Sequence, residues 1–184
     1  IITHRDVDIP SVGDFGLFFQ RTHNSGGAIT TSSDFATLRE SDGPLGIGWV
    51  SHYGYLQLDY AQTPIFHDGS GGRSAFYHYD EQGAMIYISK WGDETLWLDD
   101  QLNLLVRNNT TDTYRLKRPN GLTYTFERTA TNRAVPVRIE DKAGNVWVIK
   151  YKEGWAGWYP NHPVVEYVKD ELGRRLSFVY QWSG

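Results

Sequence analysis

Three stretches of this chain align without gaps around a glycine, and this internal repetition restricts the fold more than any other feature. Repeats of this length are typical of proteins assembled from copies of one supersecondary unit. The copies are YRLKRPNGLTYTFER (Tyr114–Arg128), VRIEDKAGNVWVIKY (Val137–Tyr151) and EYVKDELGRRLSFVY (Glu166–Tyr180). Their glycines are Gly121, Gly144 and Gly173, and a weaker fourth copy, YHYDEQGAMIYISK, contains Gly83.

An acidic residue stands three positions before most of these glycines: Asp80, Asp141 and Asp170, with Arg118 at the same place in the remaining copy. Aspartate at the first position of a type I turn caps backbone N–H groups of the turn, and the glycine that follows adopts the left-handed conformation at little cost. A type I turn followed by such a glycine is a common β-hairpin connection. Each copy is therefore predicted to form a strand, a turn and a second strand.

Apolar side chains alternate with other side chains after each glycine, as on a strand with one buried face. The equivalent apolar positions are Tyr124, Trp147 and Leu176, followed by Phe126, Ile149 and Phe178. A single hairpin cannot bury such a face, so neighbouring copies must pair. Two more hairpins are predicted, with turns at Asp99–Asn103 and Asp68–Gly72. The predicted fold is all-β, with repeated antiparallel β-hairpins that form a curved, spiralling sheet.

Residues 1–65 lack the repeat pattern and are predicted to form a leading region, whereas residues 66–184 are predicted to form one continuous unit of hairpins. The leading region contains GPLGIGW, with Gly43, Pro44, Leu45, Gly46, Gly48 and Trp49. Its glycines let the backbone turn tightly and its proline fixes φ, so that the tryptophan can anchor the turn. We interpret the motif as the place where the sheet begins. The alternative is an ordinary Gly/Pro loop followed by a core tryptophan.

The residues described so far resemble the Rhs, or YD-repeat, family of bacterial proteins. The resemblance rests on the Asp-x-x-Gly turns between aromatic strands, on GPLGIGW, on DVDIPSVGDFGLFFQRTHNS (Asp6–Ser25) and on IFHDGSGGRSAFY. It covers nearly the whole chain. Arg118 departs from the turn pattern, and the loop at Trp155–Pro163 lengthens one copy.

Rhs proteins are large polymorphic toxins whose repeats wind a shell around a C-terminal toxin, so the resemblance implies a structural shell segment. The implied partners are further YD repeats of the same parent chain, the enclosed toxin domain and an upstream delivery module. The implied location is outside a bacterial cell, by secretion or delivery. The family's self-cleaving aspartyl site lies near a DPxGL motif, and this chain has no Asp-Pro dipeptide, so that activity is not carried over.

Charge and composition argue against several classes of partner. The net charge of -4, from 18 basic and 22 acidic residues, gives no basic face for nucleic acid. No apolar run approaches the ~18 residues of a membrane span. Cysteine is absent, which excludes disulfides and thiolate metal sites. The opening IITHRDVD lacks the features of a signal peptide, and we interpret the chain as an excised or processed piece.

No catalytic, cofactor or metal site is predicted, and the protein is expected not to be an enzyme. Ser70 lies in DGSGG, which only echoes a serine protease motif, and no sequence feature positions a triad around it. His78 and Asp80 would share a strand face and could hold a metal with a third ligand, but such spacing is common by chance. Asp99 and Asp100 are adjacent and poorly placed to act as an acid–base pair.

An aromatic cluster in one loop leaves a second function open. Trp155, Trp158 and Tyr159 could stack on sugars, which would make the chain a carbohydrate- or protein-binding β module. The same rings could instead cover an edge of the sheet, as large aromatic side chains usually find a packing partner. Packing is the favoured interpretation.

Overall fold

The computed structural model describes residues 2–11, 13–23, 45, 49–58, 64–70, 72–76, 78–79, 85–86, 89–91, 93–130, 132–152 and 164–180. Within these residues the protein is all-β, without a helix, and its strands pair in antiparallel fashion, which confirms the predicted fold class. The strands are β1 (Ile2–Ser11), β2 (Gly13–His23), β3 (Trp49–Ser51), β4 (Tyr55–Leu58), β5 (Pro64–His67), β6 (Arg73–Ala75), β7 (His78–Tyr79), β8 (Met85–Ile86), β9 (Ser89–Trp91), β10 (Glu94–Leu98), β11 (Leu104–Asn108), β12 (Thr113–Lys117), β13 (Thr123–Ala130), β14 (Arg133–Glu140), β15 (Val146–Tyr151), β16 (Val165–Asp170) and β17 (Arg175–Ser177).

The chain forms two compact units. Unit 1 consists of Ile1–Gly54, Asp68–Gly72 and Ile149–Gly184, and unit 2 consists of Tyr55–His67 and Arg73–Val148. Both units are assembled from separate stretches of sequence. The division at residue 65 was drawn from repeat pattern alone and stays a prediction.

Unit 2 is dominated by a meander in which β9 to β14 pair in sequence order, followed by the first half of β15. Each pairing is antiparallel, with Tyr114 opposite Phe126 and Tyr124 opposite Ile139. The hairpin turns at Asp99–Asn103, Arg118–Leu122 and Asp141–Asn145 connect these strands. The predicted strand–turn–strand units in this part of the chain are therefore confirmed.

A second group of strands covers the aromatic face of this meander. Strand β4 pairs with the start of β14, and β5 and β6 extend it. The Phe66 ring of β5 lies 5.5 Å from the Tyr124 ring and 6.0 Å from the Phe126 ring. Because Phe66, Tyr124 and Phe126 are all buried, the core of unit 2 lies between these two layers.

Unit 1 contains a three-stranded sheet, β1-β2-β3, together with the β16–β17 hairpin. The buried Phe19 of β2 packs against Phe178, with ring centroids 4.8 Å apart. Arg174, in the turn between β16 and β17, donates a hydrogen bond from Nη1 to the carbonyl of Pro10 in β1 at 2.7 Å. Residues that are far apart in sequence therefore form one core, which includes Leu17, Phe19, Tyr53, Ile149, Val165 and Val168.

The apolar face that the repeats predict is buried in two of the three strong copies. Tyr124, Phe126, Trp147 and Ile149 are almost fully buried. Leu176 and Phe178, at the equivalent positions in the last copy, are half-buried. Strand β17 pairs with β16 alone among the described strands, so one of its two edges is unpaired within this part of the chain.

Candidate functional site: the aspartate turns and the aromatic layer

The turn at Asp141 shows how one carboxylate holds a hairpin closed. Asp141 Oδ1 accepts hydrogen bonds from the backbone of Ala143 at 2.8 Å and Asn145 at 2.9 Å, and Oδ2 accepts one from Asn145 Nδ2 at 2.7 Å. The backbone closes twice as well, from Asp141 N to Asn145 O and from Gly144 N to Asp141 O. Burial acts to raise the pKa of Asp141, but these hydrogen bonds outweigh it and lower that pKa.

The turn at Asp170 has the same geometry with an arginine in the asparagine position. Asp170 is buried, and its carboxylate accepts from the Arg174 backbone at 2.8 Å and from Arg174 Nε at 2.6 Å. The same guanidinium donates to the Pro10 carbonyl. This turn therefore connects the last hairpin to strand β1 within unit 1.

A further aspartate turn, at Asp99, has no glycine. Asp99 Oδ1 accepts from the backbone of Gln101 and Asn103, and Asn103 Nδ2 donates to Oδ2 at 2.6 Å. Leu102 occupies the glycine position with φ +62°. Sequence reasoning predicted this hairpin but did not recognise it as a copy of the aspartate turn. The sequence signal for this copy was an asparagine four residues after the aspartate, a spacing that Asp99–Asn103 and Asp141–Asn145 have in common.

The remaining turns differ in what replaces or supplements the aspartate. At Arg118, the Asn120 side chain accepts a hydrogen bond from the backbone of Leu122 at 3.1 Å. At the tip of the β5–β6 hairpin, Asp68 Oδ1 accepts from the backbone of Ser70 and Gly72, and from Ser70 Oγ at 2.7 Å. The Ser70 hydroxyl is thus engaged within its own turn.

The three glycines of the strong copies have left-handed backbones. Their φ values are +88° at Gly121, +87° at Gly144 and +81° at Gly173. Any side chain at these positions would be strained, whatever the surrounding space. Asp80 and Gly83 of the weak copy lie outside the described residues.

Part of GPLGIGW can be placed. Gly43, Pro44, Gly46 and Gly48 lie outside the described residues, and Leu45 is half-buried in a turn. Trp49 begins β3 and is half-buried, with its ring near His4 and His23 at 5.7 and 5.1 Å. The Arg21 guanidinium lies 4.8 Å from the same ring and is held by Asp6 through two hydrogen bonds. The role of the motif in starting the sheet stays a prediction.

Other candidates from the sequence remain unplaced. Trp155, Trp158 and Tyr159 lie outside the described residues, as do Asp80 and the side chain of His78. Among the side chains that are described, no group of three or more His, Cys, Asp or Glu is arranged to hold a metal ion. In the same part of the chain, no helix is long and apolar enough to cross a membrane.

Unit 1 contains three interacting tyrosines, the buried Tyr53 and the half-buried Tyr151 and Tyr180, that sequence reasoning did not single out. Burial, reinforced by neighbouring tyrosines, raises the pKa of Tyr53 and of Tyr151, and burial raises the pKa of Tyr180 to about 12. The Tyr180 hydroxyl donates to the Val165 carbonyl at 3.0 Å. These phenols are neutral near pH 7, and the Tyr180 hydrogen bond joins the segment after β17 to β16.

An ion-pair cluster around Asp112 was also missed. Its carboxylate accepts from Arg107 Nε at 3.0 Å and from Arg128 Nη1 at 2.9 Å. Asp112 itself has φ +52°, a conformation that aspartate tolerates better than most residues. Arg107 and Arg128 belong to different strands, so only the sheet register brings the three charges together.

No protein-family model and no curated protein matches this sequence. Among solved structures, the fold is similar to that of the N-terminal domain of effector protein SpvB from Salmonella typhimurium strain LT2. The TM-score is 0.52 at 12% sequence identity, and the match covers 98% of this chain and 68% of that chain. At this identity the likeness concerns the fold alone. The chain is therefore an all-β domain with a fold like that of a bacterial effector domain.

Proposed function

We propose that this chain is a non-enzymatic wall segment of an Rhs-type YD-repeat toxin protein. It helps to enclose or present a toxic cargo that is delivered out of a bacterial cell. The observation that carries the proposal is the series of aspartate turns at Asp99, Asp141 and Asp170, since each one connects two antiparallel strands, and the first two lie in a meander with one buried aromatic face. The fold likeness to an effector domain supports a place among delivered bacterial proteins.

The two faces of the meander differ in polarity, as the inner and outer faces of a shell wall would. On β12, Tyr114 and Leu116 are buried while Arg115 and Lys117 are exposed. A sheet with this alternation covers a core on one side and faces water on the other. In this proposal the partners are further repeats of the parent chain, the cargo and an upstream delivery module. No residue acts chemically.

Further repeats would extend the wall by pairing with an unpaired strand edge, and β17 has such an edge among the described strands. The Phe178 N–H donates to the Glu166 carbonyl at 3.0 Å, so it points towards β16. Backbone groups alternate along a strand, so those of Arg175 and Ser177 point towards the opposite edge. No described strand pairs with β17 at that edge. A further hairpin that paired there would also cover more of the half-buried Leu176.

The test is capture of the following repeats of the parent protein, added in trans and followed by sedimentation velocity. Ser177→Pro removes an edge N–H without touching the pairing with β16, whereas Ser177→Ala keeps the N–H and serves as the matched control. We expect wild type and Ser177→Ala to bind the repeats, and Ser177→Pro to bind at least ten-fold more weakly. A chain that ignores the repeats, or a Ser177→Pro variant that binds equally well, contradicts the proposal.

A further inference from the structure

His52 lies at a meeting point of three segments of unit 1. It follows β3, and its backbone N–H donates to the Gln20 carbonyl of β2 at 2.9 Å. Its Nδ1 atom is 3.1 Å from both the Gln20 nitrogen and the Gln20 oxygen. The imidazole is thus fixed against the β2 backbone at the position where residues 51–54 turn away from the sheet.

Aromatic rings enclose the imidazole. The Phe18 ring is stacked on it with centroids 4.4 Å apart, and the Tyr53 ring lies at 4.0 Å. Phe19 meets it edge-on at 6.1 Å. A cation at this position would therefore lose most of its hydration, which burial does not repay without a counter-charge.

The tip of the β5–β6 hairpin, Asp68–Gly72, is seated directly on the His52 backbone. A Cβ added to Gly69 would lie 1.9 Å from the His52 Cα and 2.5 Å from the Ser51 carbonyl oxygen. Only glycine allows so close an approach. A displacement of His52 must therefore displace this tip as well.

Among the residues that the structure describes, the charged and titratable groups identified near His52 do not favour a proton there. Arg5 of β1 lies 4.3 Å from the Phe18 ring centroid and forms an exposed ion pair with Asp8. At the hairpin tip, Asp68 Oδ1 is already engaged by Ser70 and Gly72. Tyr53 is neutral, and the Tyr151 and Tyr180 phenols that interact with it are neutral as well.

These contacts act on the protonation of His52 in a definite direction. Burial, opposed by the Gln20 backbone and assisted by Arg5, lowers the pKa of His52 from 6.5 to about 4. The unfolded chain therefore takes up this proton at a higher pH than the folded chain. Stability from this site is complete above pH 6.5 and falls as the pH drops from 6.5 towards 4. Over that range the unfolding constant rises by a factor on the order of 10².

We propose that His52 is an acid sensor of unit 1. Its protonation loosens the contact between β2, residues 51–54 and the hairpin tip, so that unit 1 opens in an acidic environment. This regulation is independent of whether the chain forms part of a shell.

The test uses the full 184-residue chain, with urea unfolding and amide hydrogen exchange measured between pH 7.5 and 4.5. We expect the wild type to lose protection at His52 and at Asp68 before the amides of β11 to β13 lose theirs. His52→Gln should remove most of this loss, whereas His4→Gln, at an exposed histidine of the same unit, should not. Equal acid sensitivity of His52→Gln and wild type overturns the proposal.

A second measurement covers the case in which His52→Gln fails to fold. Arg5→Gln leaves the imidazole in place and removes a positive charge that lowers the pKa of His52, so acidification should raise its unfolding constant less than that of the wild type. The His52 ring can also be titrated by NMR in the wild-type chain. A ring that titrates near pH 6.5 in the folded protein overturns the proposal directly.

Discussion

The backbone conformation of Leu102 is energetically unfavourable for leucine. Its φ is +62°, and its side chain is 67% exposed, so it gains little from burial. The left-handed conformation costs an L-residue roughly 1–2 kcal/mol, a cost that glycine avoids. Glycine has a larger unfolded-state entropy, which offsets part of the gain. Leu102→Gly should therefore raise the free energy of unfolding by about 1 kcal/mol, as measured by urea denaturation.

Leu172 supplies the matched control for this change. It lies in the Asp170 turn with 70% of its surface exposed, but its φ is not positive. Leu172→Gly should lower the free energy of unfolding by roughly 0.5–1 kcal/mol, because only the entropic cost of glycine remains. If the two substitutions change stability in the same direction, strain at Leu102 is not what distinguishes them.

Asp112 acts between elements, since it joins Arg107 of β11 to Arg128 of β13. Burial acts to raise its pKa, but the hydrogen bonds and charges of Arg128 and Arg107 hold the pKa below its usual value. A lowered pKa stabilises the fold above the unfolded value, near 4, and this contribution is lost as the pH falls through the folded value. The three side chains are about one-third exposed, so the effect is at most about 1 kcal/mol.

Asp112→Asn tests this cluster without disturbing the turn, because asparagine also tolerates a left-handed backbone. We expect the variant to be less stable than wild type by up to about 1 kcal/mol at pH 7, with the difference disappearing near pH 2. The difference should also shrink in 1 M salt. A deficit that is constant across pH would assign the role of Asp112 to its backbone instead of its charge.

The sequence allowed prediction of the hairpins, because an aspartate, a glycine and an alternating strand are local signals. It did not allow recognition of the Asp99 turn as a copy, because Leu102 stands where a glycine was sought. Pairings between distant strands left no local signal. The pairing of Arg133 with Gln57 is of this kind, and so is the Asp112 cluster, whose members meet only once the register is set. Enclosure of the His52 ring depends on three segments and could not be predicted from any one of them.

At the scale of the whole molecule, the hairpin tip Asp68–Gly72 belongs to unit 1 although its flanking strands belong to unit 2. Gly69→Ala should destabilise unit 1 by several kcal/mol, because the added methyl group would clash with the backbone of His52, and moving that backbone costs energy. Hydrogen exchange should show the loss in β2 and β16 more than in β12 and β13. Ser70→Ala, at the same tip but exposed, should have a much smaller effect. Equal losses in both sets of strands would contradict this assignment.

The hydrogen bond from Arg174 to Pro10 spans 164 residues. During translation at 5–20 residues per second, Pro10 of strand β1 is synthesised roughly 10–30 seconds before this partner. The apolar side chains of β2 lack their packing partner Phe178 for almost as long. The stretch 73–148, by contrast, contains consecutive hairpins that can close as they emerge. Of the two units, unit 1 is therefore begun first and completed last, and the nascent chain must keep β1 and β2 from aggregating while the remainder of the two units is synthesised.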